Sequence, residues 1–325
     1  MCNLTNPAFT DEDKARDFLE SSRWPDGAVC PHCNQRENVK PLPPEAMMSK
    51  PSKKNPQPKP TKGWYHCSAC RGKFTVAVGT LYERSHIPLH KWLLATHLIT
   101  SSKKGISAHQ LHRMLGVTYK SAWFMAHRIR EGMKETGVTG GDMGGQNEAV
   151  EVDETYVGGK AKNAKRGKPE PQKQAVVSLV EREGRVRSFH VPAVTASNLR
   201  PILTAHINAK SVLMTDESTV YRAKGIRKGF ANHLSVNHSQ DEYVRLGGYV
   251  HTNSVEGYFS ILKRGITGVF HHVSEQHLGR YLVEFDFRYN NRIALGVDDQ
   301  SRFEKAVKGI EGKRLTYRRT DEARA

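Results

Sequence analysis

The sequence has no apolar run long enough to cross a bilayer. Its longest, WLLATHLI at 92–99, is short and contains His97, whereas a spanning helix needs about 20 apolar residues. The opening stretch MCNLTNPAFTDEDK is polar and acidic, without the layout of a secretory signal. Cysteine is scarce, five in 325 residues, and no long internal repeat runs through the chain. The expectation is a soluble protein of a reducing cytoplasm. Acidic residues are also the minority, 33 against 50 Lys and Arg, which leaves a formal charge of +17. An excess of this size points to a polyanion, nucleic acid or an anionic membrane. With no membrane segment, DNA or RNA is the expected partner. Apolar residues make up 37%, enough for at least one core, and the length suits two or three domains.

Four of the five cysteines form two CxxC pairs, Cys30/Cys33 in CPHC and Cys67/Cys70 in CSAC. Four thiolates on two tight turns can close a tetrahedral structural Zn²⁺ site with no open position for chemistry. The 33 residues between the pairs exceed the usual gap, but 41–62 carries seven Pro and five Lys. That composition suits an exposed, disordered insertion, and without it the gap is 11.

The remaining order reads as a multidomain α+β chain. Residues 1–85 hold an N-terminal helix, with Thr10 and Asp13 resembling a capping box, and the zinc ribbon; KFTVAVGT at 73–80 alternates like a strand. Residues 86–135 are helical, and SAHQLHRML–GVT–YKSAWFMAHRIREGM reads as helix-turn-helix with Gly116 at the turn. Its second helix offers Tyr119, Lys120, Ser121, His127, Arg128 and Arg130 to DNA. An ordinary helical hairpin is the alternative. Residues 136–147 are a Gly-rich linker, 148–310 a mixed α/β catalytic domain, and 311–325 a basic tail. Within 148–310, strands are expected at 148–158, on either side of Glu183-Gly184, at 211–217 and at 233–239, with helices at 195–207, at 251–264 and at 276–292.

The chemistry-bearing acids sit at element ends. Asp153 closes VEVD, Asp216 closes VLMTD, and Glu256 lies in HTNSVEGYFSILKR. On that helix Val255, Tyr258, Phe259, Leu262 and Ile266 form one stripe, with Asn253, Glu256 and Lys263 beside it. Two strand-end aspartates and a helical glutamate can converge across a sheet of the ribonuclease H type. Three carboxylates there can hold two Mg²⁺ ions for phosphodiester displacement. Spacing alone does not choose Asp153 over Glu151 or Glu154, or Asp216 over Glu217.

The segments RWPDGAVCPHC, WYHCSACRGKFTVAVGTLYERSHIPLHKWLLA, VEVDETYVGGK, VNHSQDEYVR, HTNSVEGYFSILKRGITGVFHHVS and HLGRYLVEFDFRYNNR carry a resemblance over nearly the whole chain. It resembles the DDE-type insertion-sequence transposases with an N-terminal zinc ribbon, the ISXO-like group. The resemblance implies that Asp153 and Asp216 are the paired aspartates and Glu256 the third acid. It makes Asn253 an accessory residue and Lys263 a trailing basic residue that, with Arg264, positions phosphate. It further implies binding to the element's terminal inverted repeats, cleavage with two Mg²⁺ (or Mn²⁺) ions and strand transfer into target DNA. A homo-oligomer on DNA and association with the nucleoid follow from it. The Pro/Lys insertion departs from the family. Two rivals are a DNA-binding regulator that has lost catalysis and a structure-selective nuclease of the same fold.

Overall fold

The computed structural model describes residues 4–49, 51, 56–135, 142–158 and 173–316. The chain forms two compact units, one of Met1–Ser101, Ala108–Met133 and Asp299–Ala325, the other of Ser102–Ser107 and Lys134–Asp298. Among the described residues no helix is long and apolar enough to cross a membrane.

The first unit opens with α1 (Glu12–Arg23). Asp11, not Thr10, caps it, its Oδ1 accepting the Lys14 N–H at 2.8 Å. Thr10 instead closes a preceding 3₁₀ turn over Pro7–Phe9. An antiparallel ribbon follows, β1 (Val39–Pro41), β2 (Trp64–Cys67) and β3 (Lys73–Thr75). The strand expected at 73–80 stops at Thr75 because 75–80 fold into successive turns, with Val78 N donating to Thr75 O and Thr80 N to Ala77 O. The insertion is more ordered than its composition implies. Pro44–Ala46 make a 3₁₀ turn, Ser49 N donates to Lys59 O, and Thr61 N donates to Met47 O, each pair at 2.8 Å. Its prolines favour this path: Pro41 ends an edge strand, and the fixed φ of Pro44 presets the turn. Residues 50 and 52–55 of the insertion lie outside the described residues.

Three helices complete this part: α2 (Leu89–Ser101), α3 (Ala108–Leu115) and α4 (Tyr119–Met133). Between α3 and α4, Gly116 takes φ +59°, and the Thr118 hydroxyl accepts the Ser121 N–H at 3.2 Å. A left-handed glycine followed by a hydroxyl cap is what a tight connection between two helices needs.

The second unit is built on five strands: β4 (Ala149–Val157), β5 (Gln174–Glu181), β6 (Val186–Val191), β7 (Val212–Thr215) and β8 (Asn232–Ser235). Their spatial order is β6-β5-β4-β7-β8. β4, β5 and β6 form an antiparallel meander, turning at Glu183 (φ +58°) and Gly184, while β7 and β8 continue parallel to β4. In sequence order this is 3-2-1-4-5, the mixed sheet of the ribonuclease H type. Helices α5 (Ala196–His206), α6 (Lys224–Arg227), α7 (Asn253–Gly265) and α8 (Glu275–Asn290) complete the unit. On one face Val150, Val152, Val177 and Leu179 pack with Leu199 and Leu203 of α5. On the other Val176, Val180 and Val186 pack with Tyr258 and Leu262 of α7 and Leu282 of α8. Both faces of β5 are therefore covered, which explains the unbroken apolar run AVV and the LV after it. Each large apolar side chain so buried contributes about 1.5–3 kcal/mol.

Helix α9 (Asp299–Lys308) belongs by packing to the first unit. Its buried Phe303 meets Phe9 edge-on at 5.6 Å and stacks on Phe18 at 5.4 Å. The boundary expected at 310 thus falls at 298, because the stripe Phe303, Ala306, Val307 and Ile310 has its apolar partners there. Of the linker at 136–147, Met143 is buried and bridges Ile207, and residues 136–141 lie outside the described residues, as do 317–325 of the tail.

Candidate functional site

Strand order brings two aspartates to neighbouring points. β4 and β7 are adjacent and parallel, with Glu151 opposite Met214. Two residues further along each path stand Asp153 and Asp216, the latter one step past the end of β7. Alternation along β4 sets Glu151 and Asp153 on the α7 face and Val150, Val152 and Glu154 on the α5 face.

Helix α7 lies over the first of these faces. Val255, Tyr258, Phe259, Leu262 and Ile266 are buried, while Asn253, Glu256 and Lys263 are exposed, the division that a 3.6-residue period dictates. The helix is capped from outside itself. Glu151, fully buried, accepts the backbone N–H groups of Ser254 at 2.8 Å and Val255 at 3.1 Å through Oε2. Its Oε1 accepts the Ser254 hydroxyl at 2.9 Å and Arg182 Nη2 at 3.1 Å. Thr252, at the N-cap position, makes no cap bond and donates its hydroxyl to Glu256 Oε1 at 2.9 Å.

The electrostatics separate the acids. Burial pushes the Asp153 carboxyl up to about 7, repulsion from Glu154, Asp216 and Glu256 adds to the rise, and the Glu154 N–H donated to Oδ1 at 2.7 Å opposes it. Asp216 is raised chiefly by burial, against the Ser218 N–H on its Oδ1 and the nearby His238. Among the described residues neither aspartate pairs with Lys or Arg, and Glu256 has only His238, whose Nε2 is 3.7 Å from Oε1. Like charges gathered with His238 as their one basic neighbour among the described residues, all oxygen donors, fit a hard divalent cation. Their oxygens are not drawn together as the thiols are. Among the described residues the four cysteines are the only set of three or more His, Cys, Asp or Glu whose ligand atoms all lie within 4.8 Å of one another.

The competing acids have other partners. Glu151 is the cap of α7. Glu154, on the opposite face, accepts the Tyr221 hydroxyl at 2.5 Å. Glu217 accepts the Ser239 hydroxyl and the His238 and Ser239 N–H groups, which hold its carboxyl down to about 2. His238, tilted against Tyr243 at 5.2 Å, is the neighbour of these acids that sequence reasoning missed; VNHS gave no spacing signal toward Glu256.

The residues expected to face DNA divide. Lys120 is exposed and Ser121 partly so, at the start of α4. Arg264 is exposed on α7, its Nε bonded to Ser260 Oγ at 3.1 Å. His127 and Arg130 are buried. Arg128 is turned inward, donating to Glu83 O at 3.1 Å and Leu315 O at 3.2 Å, with the Trp92 and Phe124 rings beneath it. The reason is that α4 packs against α2, α3 and α9, so its buried arc is wider than the one-sided stripe assumed for a surface helix.

The four cysteines form a second centre. Cys30 Sγ is 3.6 Å from Cys70 Sγ, and Cys33 Sγ is 3.6 Å from Cys67 Sγ. A tetrahedral Zn²⁺ with Zn–S bonds of about 2.3 Å separates its sulfurs by about 3.8 Å, so the set fits the ion. The two knuckles are alike, with the residue after each second cysteine, Asn34 and Arg71, at φ +57° and +59°.

Residues 145–290 match the ISXO2-like transposase domain and residues 10–73 the transposase zinc-ribbon domain. An uncharacterized protein in transposable element ISH50 of Halobacterium salinarum is 26% identical over 295 residues, covering 86% of this chain and 91% of that protein. A solved Mos1 transposase paired-end complex with left transposon end overlaps 67% of this chain and 74% of its own at 12% identity. Its TM-score of 0.27 is too low to carry an argument. With a ribbon that gathers four thiols and a mixed sheet under the matched segment, the chain carries an ISXO2-like transposase domain behind a transposase zinc ribbon.

Proposed function

We propose that this transposase binds the terminal inverted repeats of its own insertion sequence, cuts DNA at each end and joins the freed ends to target DNA. The observation that supports the reading is that Asp153 and Asp216 stand on the paths of adjacent parallel strands, with Glu256 on α7, the helix packed on the β4 face that bears Asp153. Asp153, Asp216 and Glu256 would hold two Mg²⁺ ions, or Mn²⁺. When bound, such ions supply Lewis-acid charge at the attacking and leaving oxygens of an in-line displacement.

In the first step the oxygen of a water molecule forms a bond to phosphorus and the 3′-oxygen leaves as a hydroxyl. In the second that 3′-oxygen bonds to a target phosphorus and displaces the target strand's 3′-oxygen. No bond to protein forms. Lys263 and Arg264, exposed on α7 beyond Glu256, steer phosphate, and Asn253 lies one turn before Glu256 on the same flank. Lys120 and Ser121 at the start of α4, together with the ribbon, contact the DNA ends. Two ends must be joined, so the protein works as an oligomer on DNA, in association with the nucleoid.

The test is strand transfer in vitro with Mg²⁺, the DNA flanking the gene and a supercoiled target, wild type against Glu256→Ala. Joined product that vanishes in the variant supports the reading. End binding without cutting or joining by either protein favours a regulator. Cutting of branched DNA with no requirement for end sequence favours a nuclease.

A further inference from the structure

Glu151 and Glu256 are both glutamates near the start of α7, and they have exchanged the parts expected of such a helix. The hydroxyl of an N-cap threonine ordinarily accepts an N–H from the first turn. Here the Thr252 hydroxyl donates to Glu256, and the first-turn N–H groups of Ser254 and Val255 go to Glu151, 103 and 104 residues away in sequence. The cap therefore belongs to the strand, not to the helix. Glu151 stands two residues before Asp153 on the same face of β4, so one rigid strand holds the first aspartate and the anchor of the helix that presents the third acid.

We infer that Glu151 is a positioning residue of the active site, setting the separation of Asp153 and Glu256 by pinning the first turn of α7 to β4. This rests on the reading of Asp153, Asp216 and Glu256 as divalent-cation ligands. Three features of the structure support it. The carboxylate is fully buried, with both oxygens engaged. Arg182, also bound to the Tyr249 carbonyl at 2.6 Å, supplies its counter-charge at 3.1 Å. Glu256 lies one residue beyond Val255, whose N–H Glu151 holds, so a slip of that turn carries Glu256 with it. Negative charge at a helix N-terminus is also favourable in itself, which fits an anchor of the helix rather than a metal ligand.

The test is Mn²⁺ binding to the zinc-loaded protein without DNA, read as loss of the free-ion electron paramagnetic resonance signal, with circular dichroism and melting recorded for every variant. Glu151→Gln keeps the shape but makes one oxygen a donor facing donors. Its Mn²⁺ midpoint is expected to rise about tenfold, the size seen when an outer partner of a metal ligand is lost, with Glu151→Asp falling between it and wild type. Ser254→Ala, which removes only the hydroxyl bond to Glu151, covers the case in which Glu151→Gln does not fold, and is expected to raise the midpoint about twofold to threefold. A folded Glu151→Gln, or failing that a folded Ser254→Ala, with the wild-type midpoint overturns the inference. If wild type binds Mn²⁺ no better than Glu256→Gln, the ligand reading falls and the inference with it. That result differs from a loss confined to Glu151.

Discussion

The Tyr258 hydroxyl donates to Asp286 Oδ1 at 2.6 Å, joining α8 to the helix that carries Glu256. The Ser188 hydroxyl of β6 donates to the same oxygen at 2.7 Å and the Ser188 N–H to Oδ2 at 2.8 Å. Burial dominates over these three donors and pushes the Asp286 carboxyl up to about 7. An unfolded aspartate titrates near about 3.9, so between roughly pH 4 and 7 the folded protein holds the extra proton. Stability therefore falls as pH rises through that window and levels off above it. Urea unfolding of wild type and Asp286→Asn between pH 5 and 7 is expected to show a slope smaller in the variant by up to about 1.4 kcal/mol per pH unit. Equal slopes would remove Asp286 from the titration.

The acids around the sheet end answer to different substitutions. Asp216→Asn is expected to abolish cleavage and to weaken Mn²⁺ binding. Glu217→Gln loses a partner of the Ser239 hydroxyl and of two N–H groups. It is expected to leave the Mn²⁺ midpoint unchanged and to speed amide exchange at residues 238 and 239. A loss of metal binding in Glu217→Gln as large as in Asp216→Asn would reverse the assignment.

On α4 the two kinds of residue should separate by assay. Lys120→Ala is expected to weaken DNA binding across sequences and to reduce the salt slope by about 1, with melting unchanged. Arg128→Ala removes two hydrogen bonds to carbonyls and two ring contacts and is expected to cost about 1–3 kcal/mol in stability. Fluorescence anisotropy over a salt series, beside thermal melts, reads both. A stable Arg128→Ala that binds DNA poorly would return that residue to the DNA face.

Removing zinc with a chelator is expected to open residues near 25–80 and weaken binding to the element's ends while the five-stranded sheet persists. Limited proteolysis and amide exchange before and after chelation measure this. One cooperative loss of the entire chain would contradict separate modules.

Much of this is legible in the sequence. The α7 stripe, the Glu183-Gly184 turn and the two CxxC knuckles follow from period, turn chemistry and ligand spacing, which are local. What stayed hidden depends on partners far along the chain. Nothing in VEVDE tells Glu151 from Asp153, because the difference lies in the N–H groups of residues 254 and 255. Nothing around His127 and Arg128 reveals that α9 closes over α4, since a basic helix with one apolar stripe reads as a surface helix. The insertion misled in the opposite direction, because proline suppresses regular structure in general yet suits an edge strand and a 3₁₀ turn.

The return of α9 to the first unit has a consequence for synthesis. A ribosome delivers α1 through α4 early, but Phe9 and Phe18 wait for Phe303, which emerges only after the whole five-stranded sheet. Since domains tend to fold as they leave the ribosome, the sheet is the first body able to complete itself. A nascent or prematurely ended chain then carries a finished sheet unit and an unfinished helical one. A product stopped at 298 is expected to be aggregation-prone and poor at holding DNA, a built-in delay between translation and competence.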